Sequence, residues 1–153
     1  MAAVTMTLHL DDAGFRALLA RARSLDLTGA MKQVGEVLLN RVAESFRSES
    51  SPEGRKWKPL KASTIAERLR LGYGPGPILR REGWLAEHFS YRASRDRVLV
   101  GTAVPYAAIH QFGGRAGRGH RAVIPARPFL GVAPEDWDEI REILLREALR
   151  QLC

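Results

Sequence analysis

The sequence lacks most of the residues that build disulfide frameworks, metal sites and membrane spans. Its one cysteine is Cys153, so no internal disulfide can form and no cysteine cluster can hold zinc. The four histidines are scattered, and none has a Cys or a second His three or four residues away. No run of about 18 apolar residues occurs, so no membrane-spanning helix is expected. The first residues also lack the basic and apolar regions of a signal peptide.

Catalytic motifs are equally scarce. The serines lie in polar stretches without a GxSxG elbow, and the glycine-rich segment at residues 113–119 lacks the GK[ST] of a phosphate-binding loop. Acidic residues crowd at residues 135–142, where the start of a helix explains them. We therefore expect no enzyme, no catalytic residue, no cofactor and no resident metal. A hydrolase would need a nucleophile or a metal set that the sequence does not offer.

Positive charge is plentiful and unevenly distributed. The net charge is +7 and the pI is about 10.3. Between Arg55 and Arg127 the sequence holds 15 Lys or Arg against 4 Asp or Glu, whereas both ends carry an acidic excess. A basic middle part favours an anionic partner, either nucleic acid or an acidic protein surface. The alternative is a solvated basic face that only aids solubility.

Hydrophobic periodicity predicts a single α+β domain in which several helices pack against an antiparallel sheet with extended loops. Residues 1–54 are predicted to hold a strand, at residues 3–10, and two amphipathic helices, the second at about residues 29–47. Residues 55–131 form the basic part, with a helix capped by Ser63, another over residues 78–87, and a hairpin of residues 88–93 and 97–102. Residues 132–153 form the C-terminal helix.

The segment from residue 101 to residue 131 is the most individually specified part of the chain. Its sequence is GTAVPYAAIHQFGGRAGRGHRAVIPARPFLG. A helical turn is predicted over residues 106–112, ended by Gly113 and Gly114, followed by a Gly/Arg-rich loop at residues 115–121. A short strand at residues 122–124 leads into a stretch at residues 125–128 that two prolines make rigid and extended. A solvated hairpin tip is the alternative interpretation of the loop.

Four strings resemble the phage virion morphogenesis, or tail-completion, family of Mu-like and P2-like tailed phages. They are WKPL at residues 57–60, ILRREGWL at 78–85, VGT with PYAAIHQFGG within 100–114, and IPARPFLG at 124–131. The resemblance covers roughly residues 30–150, and the last two strings are specific when they occur together. The family more often has Thr where Glu82 stands and a longer insert at residues 115–120, but neither difference threatens the resemblance.

The resemblance implies a structural virion protein that completes the tail and supports the joining of tail to head. Such proteins are expected to act as copies in a ring at the neck or tail top, with a hexamer expected here. The implied partners are other neck and tail proteins, such as the head-tail connector, the tail terminator or the tube. The implied location is the virion, after assembly in the host cytoplasm, with no cofactor and no membrane contact.

Two groups of residues are predicted to make these contacts. A ring needs a head-to-tail interface that closes by rotation, and rigid segments with aromatic side chains are good anchors for it. The predicted subunit or partner interface comprises Tyr106, His110, Gln111, Phe112, Arg127 and Phe129. The alternative for its aromatic members is plain core packing. The second group, facing a partner or DNA in the ring lumen, comprises Arg115, Arg118 and Arg121, because guanidinium groups bind carboxylate and phosphate bidentately.

A nucleic-acid-binding module with a basic central face is the alternative function. The pI and the charge distribution support it, but the sequence has no helix-turn-helix signature, zinc finger or RNP-type aromatic motif. Salt-dependent DNA binding by the isolated chain would favour the module. Rings seen by size-exclusion chromatography or microscopy would favour the assembly protein.

Overall fold

The computed structural model describes residues 13–153, apart from the side chains of Phe15, Leu18 and Leu19. The predicted strand at residues 3–10 therefore lies outside the described residues. Within them, the α+β class is confirmed. The helices are α1 Ala13–Ser24, α2 Thr28–Ser48, α3 Ala62–Arg70, α4 Trp84–Glu87, α5 Ala107–Phe112 and α6 Pro134–Leu152. The strands are β1 Ser90–Ala93, β2 Val98–Gly101, β3 Gly114–Ala116 and β4 Ala122–Ile124, with a 3₁₀ turn at Arg118–His120.

The strands form two separate antiparallel hairpins and not one continuous sheet. In the first hairpin Ser90 pairs with Gly101, and in the second Gly114 pairs with Ile124. The first hairpin packs on α2, where Gly35 is needed because a side chain there would overlap the ring of Tyr91. Each hairpin has only two strands of three or four residues, so the helices supply most of the core.

Helix α2 runs through both hydrophobic clusters of the domain. Ala30 and Val34, in its first half, pack with Ile140 and Ile143 of α6. Val42 and Phe46, in its second half, belong to a larger cluster that contains Trp57 and Phe129. Val34 and Phe46 are 12 residues apart, a separation of about 18 Å along a helix at 1.5 Å per residue. The two clusters therefore occupy opposite ends of α2.

An ion pair fixes the start of α6 against α2. Asp136 Oδ2 accepts a hydrogen bond from Ala133 N at 2.8 Å, which satisfies a free backbone donor at the helix start. Arg41 Nε donates to the same oxygen at 2.8 Å, and Arg41 Nη2 donates to Glu135 Oε1 at 3.0 Å. The hydrogen bond to Asp136 is the main reason why the pKa of Arg41 is raised. The predicted C-terminal helix is confirmed, and it begins at Pro134.

Two details of the predicted helices are wrong. The helix expected at residues 78–87 is only Trp84–Glu87, because Leu79 and Gly83 adopt positive φ angles of 57° and 82°. Ile78 N donates to Glu49 Oε1 at 2.7 Å, so this backbone group is satisfied without a helix. Ser63 does not cap α3, which begins one residue earlier, at Ala62. Among residues 13–153, no helix has both the length and the apolar character that a membrane span requires.

Candidate partner-docking site

Residues from all four sequence strings meet in one hydrophobic cluster, which we call the motif core. Phe46 of α2 lies at its centre, with ring centroids 5.3 Å from Phe129 and 5.5 Å from Trp57. Phe129 is 0% exposed, so it makes no contact with solvent. The buried members of the motif core are Val42, Phe46, Trp57, Ile78, Leu85, Val104, Ala107 and Phe129. Strings that are far apart in the sequence thus build one rigid base.

Gln111 of α5 holds residues 124–131, which we call the strap. Its Oε1 accepts hydrogen bonds from the backbone N–H groups of Phe129 and Leu130, each at 3.0 Å. Its Nε2 donates to the carbonyl of Leu130, also at 3.0 Å. One side-chain amide thereby satisfies three backbone groups of Phe129 and Leu130, which belong to no strand. Loss of Gln111 would leave all three without these partners.

Arg127 and Trp57 tie the strap to two other strings. Arg127 N donates to His110 O at 2.7 Å. The Arg127 side chain donates from Nε to Lys58 O at 2.9 Å and from Nη2 to Pro59 O at 3.2 Å. In return, Trp57 Nε1 donates to Pro128 O at 2.8 Å. The strap is therefore fixed by specific polar contacts as well as by the apolar packing of Phe129.

Gly113 makes the sharp connection between α5 and the hairpin of β3 and β4. Its φ angle is +73°, a conformation that favours glycine. A Cβ atom built on Gly113 would lie 2.8 Å from Ala126 N and 3.0 Å from Ile124 O. Both the backbone conformation and the close approach of the strap therefore require glycine.

The end of this hairpin, residues 115–121, is a basic surface that we call the hairpin tip. Arg115 lies on β3 opposite Val123, and Arg118 and Arg121 flank the 3₁₀ turn. All three arginines are exposed, and within residues 13–153 no carboxylate lies at ion-pair distance from any of them. The predicted Gly/Arg-rich loop is thus largely an ordered hairpin, in line with the alternative interpretation. Its charges are available to a partner.

A groove of about 700 Å³ opens beside the hairpin, between α3, α4, α5 and β4. Apolar and polar residues share its walls, and Leu71, Leu79, Leu85 and Ile124 are among the apolar ones. Three guanidinium groups line it: those of Arg127, which is 5% exposed, and Arg68, which is 8% exposed, are buried, whereas that of Arg81 is exposed. A groove that combines apolar walls with buried charged groups has the composition of a binding site.

His110 is a partly buried side chain at the wall of the groove. Burial is the main cause that lowers its pKa, and the positive charge of Arg127 adds to the effect. Its Nδ1 is buried and has no hydrogen-bond partner in the described part of the chain. The imidazole meets the ring of Tyr106 edge to face, with centroids 6.0 Å apart. Among residues 13–153, no group of three or more His, Cys, Asp or Glu could hold a metal ion.

Comparison with known proteins identifies the relatives of this chain. The model of the phage virion morphogenesis family matches residues 11–149. The chain belongs to this family. Membership gives it a structural or assembly role in a phage, and it confirms the resemblance found in the sequence strings. No solved structure matches the chain.

Individual members of the phage virion morphogenesis family match over most of their length. The Mu-like prophage FluMu G protein 2 of Haemophilus influenzae is 38% identical over 112 residues, which cover 73% of this chain and 71% of that protein. The protein of Escherichia phage Mu named "Putative capsid assembly protein G" is 34% identical over 119 residues, covering 74% of this chain and 76% of the phage protein.

The six residues predicted for the subunit or partner interface divide between the interior and the surface. Phe129, Arg127 and Gln111 face into the subunit, where they hold the motif core and the strap together. Phe112 is 78% exposed and Tyr106 is also exposed. The core-packing alternative therefore describes Phe129, whereas Phe112 and Tyr106 remain free for partner contact. His110 lies between the two groups, at the wall of the groove.

Arg68 and the groove itself were not predicted from the sequence. A signal was available, because Arg68 follows Ile65 by three residues on the one side of α3 that is not exposed. Helical periodicity predicts an apolar side chain at such a position. A charged residue there indicates either a buried polar network or a ligand site. The groove is formed by elements that are far apart in sequence, so only the folded chain reveals it.

Proposed function

We propose that this chain is a structural assembly protein of a tailed phage that completes the tail and supports head-to-tail joining. In this proposal it acts as a subunit of an oligomeric ring at the neck or tail top, and it is present in the host cytoplasm during assembly. Its partners are other neck and tail proteins. Membership of the phage virion morphogenesis family supports the class of function. The exposed hairpin tip supports a contact with these partners.

The observation that carries the proposal is an exposed, basic hairpin mounted on a rigid base. Phe112, 78% exposed, stands beside the hairpin tip with its three free guanidinium groups. Exposed aromatic side chains and arginines are enriched at protein interfaces. Gln111 and Gly113 hold the base in one position, so little ordering cost is left for the moment of binding.

The experiment is complementation of a phage that lacks this gene. Cells supplying the wild-type chain should release joined virions, whereas cells without it should accumulate separate filled heads and tails, counted by electron microscopy. A variant with Arg115, Arg118 and Arg121 all changed to Ala should behave like the gene deletion while keeping the wild-type melting temperature.

The matched control changes three other exposed arginines, Arg23, Arg55 and Arg92, to Ala. This control removes the same charge and should leave the yield of joined virions unchanged. Joined virions in normal numbers without any copy of the gene would refute the proposed function. Normal joining by the hairpin-tip variant alone would refute the role of the tip.

A sequence-independent nucleic-acid-binding module is the second candidate. The free guanidinium groups of the hairpin tip favour it, because phosphate contacts need exposed arginines and no defined sequence. Affinity for a mixed-sequence DNA duplex is to be measured by fluorescence anisotropy at 50 and 200 mM salt. A steep salt dependence, together with normal joining of heads and tails in the absence of the gene, would favour the module over the assembly protein.

A further inference from the structure

Two buried arginines in the groove have no acidic partner. Arg127 bonds only to backbone carbonyls, and Arg68 donates from Nη1 to Pro77 O at 2.9 Å. Within residues 13–153, no carboxylate lies at ion-pair distance from either side chain. Burial lowers the pKa of Arg127, with the charge of Arg68 as the second cause. Two like charges in a partly desolvated wall are costly, which favours a ligand that brings a negative charge.

The surroundings of these arginines select the kind of anion. Leu71, Leu79 and Leu85 form apolar walls around them, and a phosphodiester backbone gains nothing from such walls. The groove is also lined by Lys58, Lys61 and Arg81 and by two carboxylates, Glu67 and Glu82, so its wall carries a net positive charge. A single carboxylate flanked by apolar side chains satisfies both the charge and the walls. The groove therefore suits an acidic protein segment better than a nucleic acid.

The outer face of α6 presents such a segment. Asp138, Glu142, Leu145 and Leu149 follow one another at spacings of four, three and four residues, so they share one face of the helix. This face is opposite to the one that buries Ile140 and Ile143. Leu145 is 61% exposed and Leu149 is 59% exposed. Within the described residues, Glu142 has no hydrogen-bond or ion-pair partner.

The groove and this outer face lie on separate parts of the same subunit. Helix α6 packs along α2 from Arg41, near the middle of α2, towards its start, whereas the groove borders the motif core, which contains Val42 and Phe46. No residue of α6 lines the groove in the described part of the chain, so we expect the two patches to meet between two chains. A contact between two different patches is head-to-tail, and it closes into a ring when the rotation per subunit allows it.

We propose that the groove binds the outer face of α6 from a second copy of this chain. The carboxylate of Glu142 pairs with Arg68 and Arg127, and Leu145 and Leu149 pack on the apolar walls in the manner of a helix laid in a groove. This inference rests on the proposed ring function and specifies the contact that would build the ring.

The test measures self-association of the full chain by size-exclusion chromatography with light scattering over a concentration series. Glu142→Lys should raise the dissociation constant by at least about tenfold, since it places a like charge against two buried arginines. Glu139→Lys is the matched control, because it makes the same change on the same helix but away from the outer stripe. It should associate like the wild-type chain.

A second variant blocks the groove at its exposed rim and leaves the buried arginines intact. Leu71→Asp combined with Trp84→Asp should abolish self-association while keeping the wild-type circular dichroism spectrum. Mixed together, this variant and Glu142→Lys each keep one intact patch, so a head-to-tail contact predicts a discrete heterodimer. A symmetric contact predicts no association in the mixture.

Two results would overturn the inference without touching the proposed function: variants that associate normally, and a mixture without heterodimer. A wild-type chain that stays monomeric at every concentration would overturn both the inference and the proposed ring, but not the role in head-to-tail joining. Loss of duplex DNA binding in the groove variant, with self-association unchanged, would make the groove a nucleic-acid site instead. The proposed function fails separately, when heads and tails join normally without the gene.

Discussion

The strap and the hairpin tip are neighbours in the sequence, yet they are built in opposite ways. The strap is held by Gln111, Trp57 and Arg127, and its Phe129 is fully buried. The hairpin tip exposes three arginines and has no ion pair within the described part of the chain. Side chains of the strap contact the subunit itself, whereas the arginine side chains of the hairpin tip stay exposed.

This difference separates residues that shape the molecule from exposed residues that we propose form its contacts. Substitutions in the strap should act on folding stability, and substitutions in the hairpin tip should act on assembly alone. A docking surface gains from such an arrangement, because a rigid base lowers the ordering cost of the contact that it presents. The predictions below test whether the two regions are separable in this way.

The largest effect is expected for Phe129→Ala. It removes a fully buried ring that contacts Phe46 and Phe89, and cavities of this kind cost about 3–5 kcal/mol of unfolding free energy. Urea denaturation followed by tryptophan fluorescence measures the loss. Phe112→Ala is the matched control beside the hairpin tip, and it should change stability by less than about 0.5 kcal/mol. Equal losses in the two variants would refute the separation of strap and tip.

A somewhat smaller loss is expected for Gln111→Ala. It leaves the N–H groups of Phe129 and Leu130 and one carbonyl without their partner, which should cost about 2–4 kcal/mol, since each unsatisfied buried group costs about 1–3 kcal/mol. The same denaturation measurement applies. Gln33→Ala, at an exposed position of α2, is the control and should be nearly neutral. A loss below about 1 kcal/mol would mean that the strap does not depend on this side chain.

The connection between the two regions is tested by Gly113→Ala. The positive φ angle and the approach of Ala126 N should together make this change cost about 2 kcal/mol. Gly29→Ala is the matched control, because nothing lies within 4 Å of a Cβ atom there and its backbone is helical. Differential scanning calorimetry of both variants gives the comparison. An unchanged stability of the Gly113→Ala variant would contradict the close packing of the strap against Gly113.

A small effect of pH on the unfolding free energy is expected from His110, which lies beside the strap. Because burial lowers the pKa of His110 in the folded chain, the unfolded chain takes up this proton first as the pH falls. Above the ordinary value of 6.5 the imidazole is neutral in both states and contributes nothing. Below it, the folded state loses stability until its own lowered pKa is reached. His110→Gln should flatten the fall in unfolding free energy below about pH 6.5, and an unchanged slope there would contradict this assignment.

Local signals in the sequence predicted much of the fold around the strap and the hairpin tip. Glycine at residues 113 and 114 ended α5, and Pro134 with the acids after it began α6, as both patterns indicate. The four strings marked the segments that build the motif core. These features depend on the backbone preferences of neighbouring residues, which can be predicted from the sequence alone.

What the sequence could not predict depends on distant contacts. Leu79 takes a positive φ angle that no local preference favours, and this shortened the expected helix to α4. The inward role of Gln111 requires the strap to lie beside α5. The burial of Arg68 requires a groove formed by elements more than 50 residues apart, from α3 to β4. Tertiary packing decides such positions, and it overrides helical propensity and the expectation that charges are exposed.

One variant, with Arg115, Arg118 and Arg121 changed to Ala, tests most directly whether the strap shapes the subunit and the hairpin tip makes the contact. We expect its unfolding free energy to stay within about 0.5 kcal/mol of wild type and its complementation to yield no joined virions. Normal joining by this variant, or a loss of stability as large as that of Phe129→Ala, would contradict the separate roles of strap and hairpin tip.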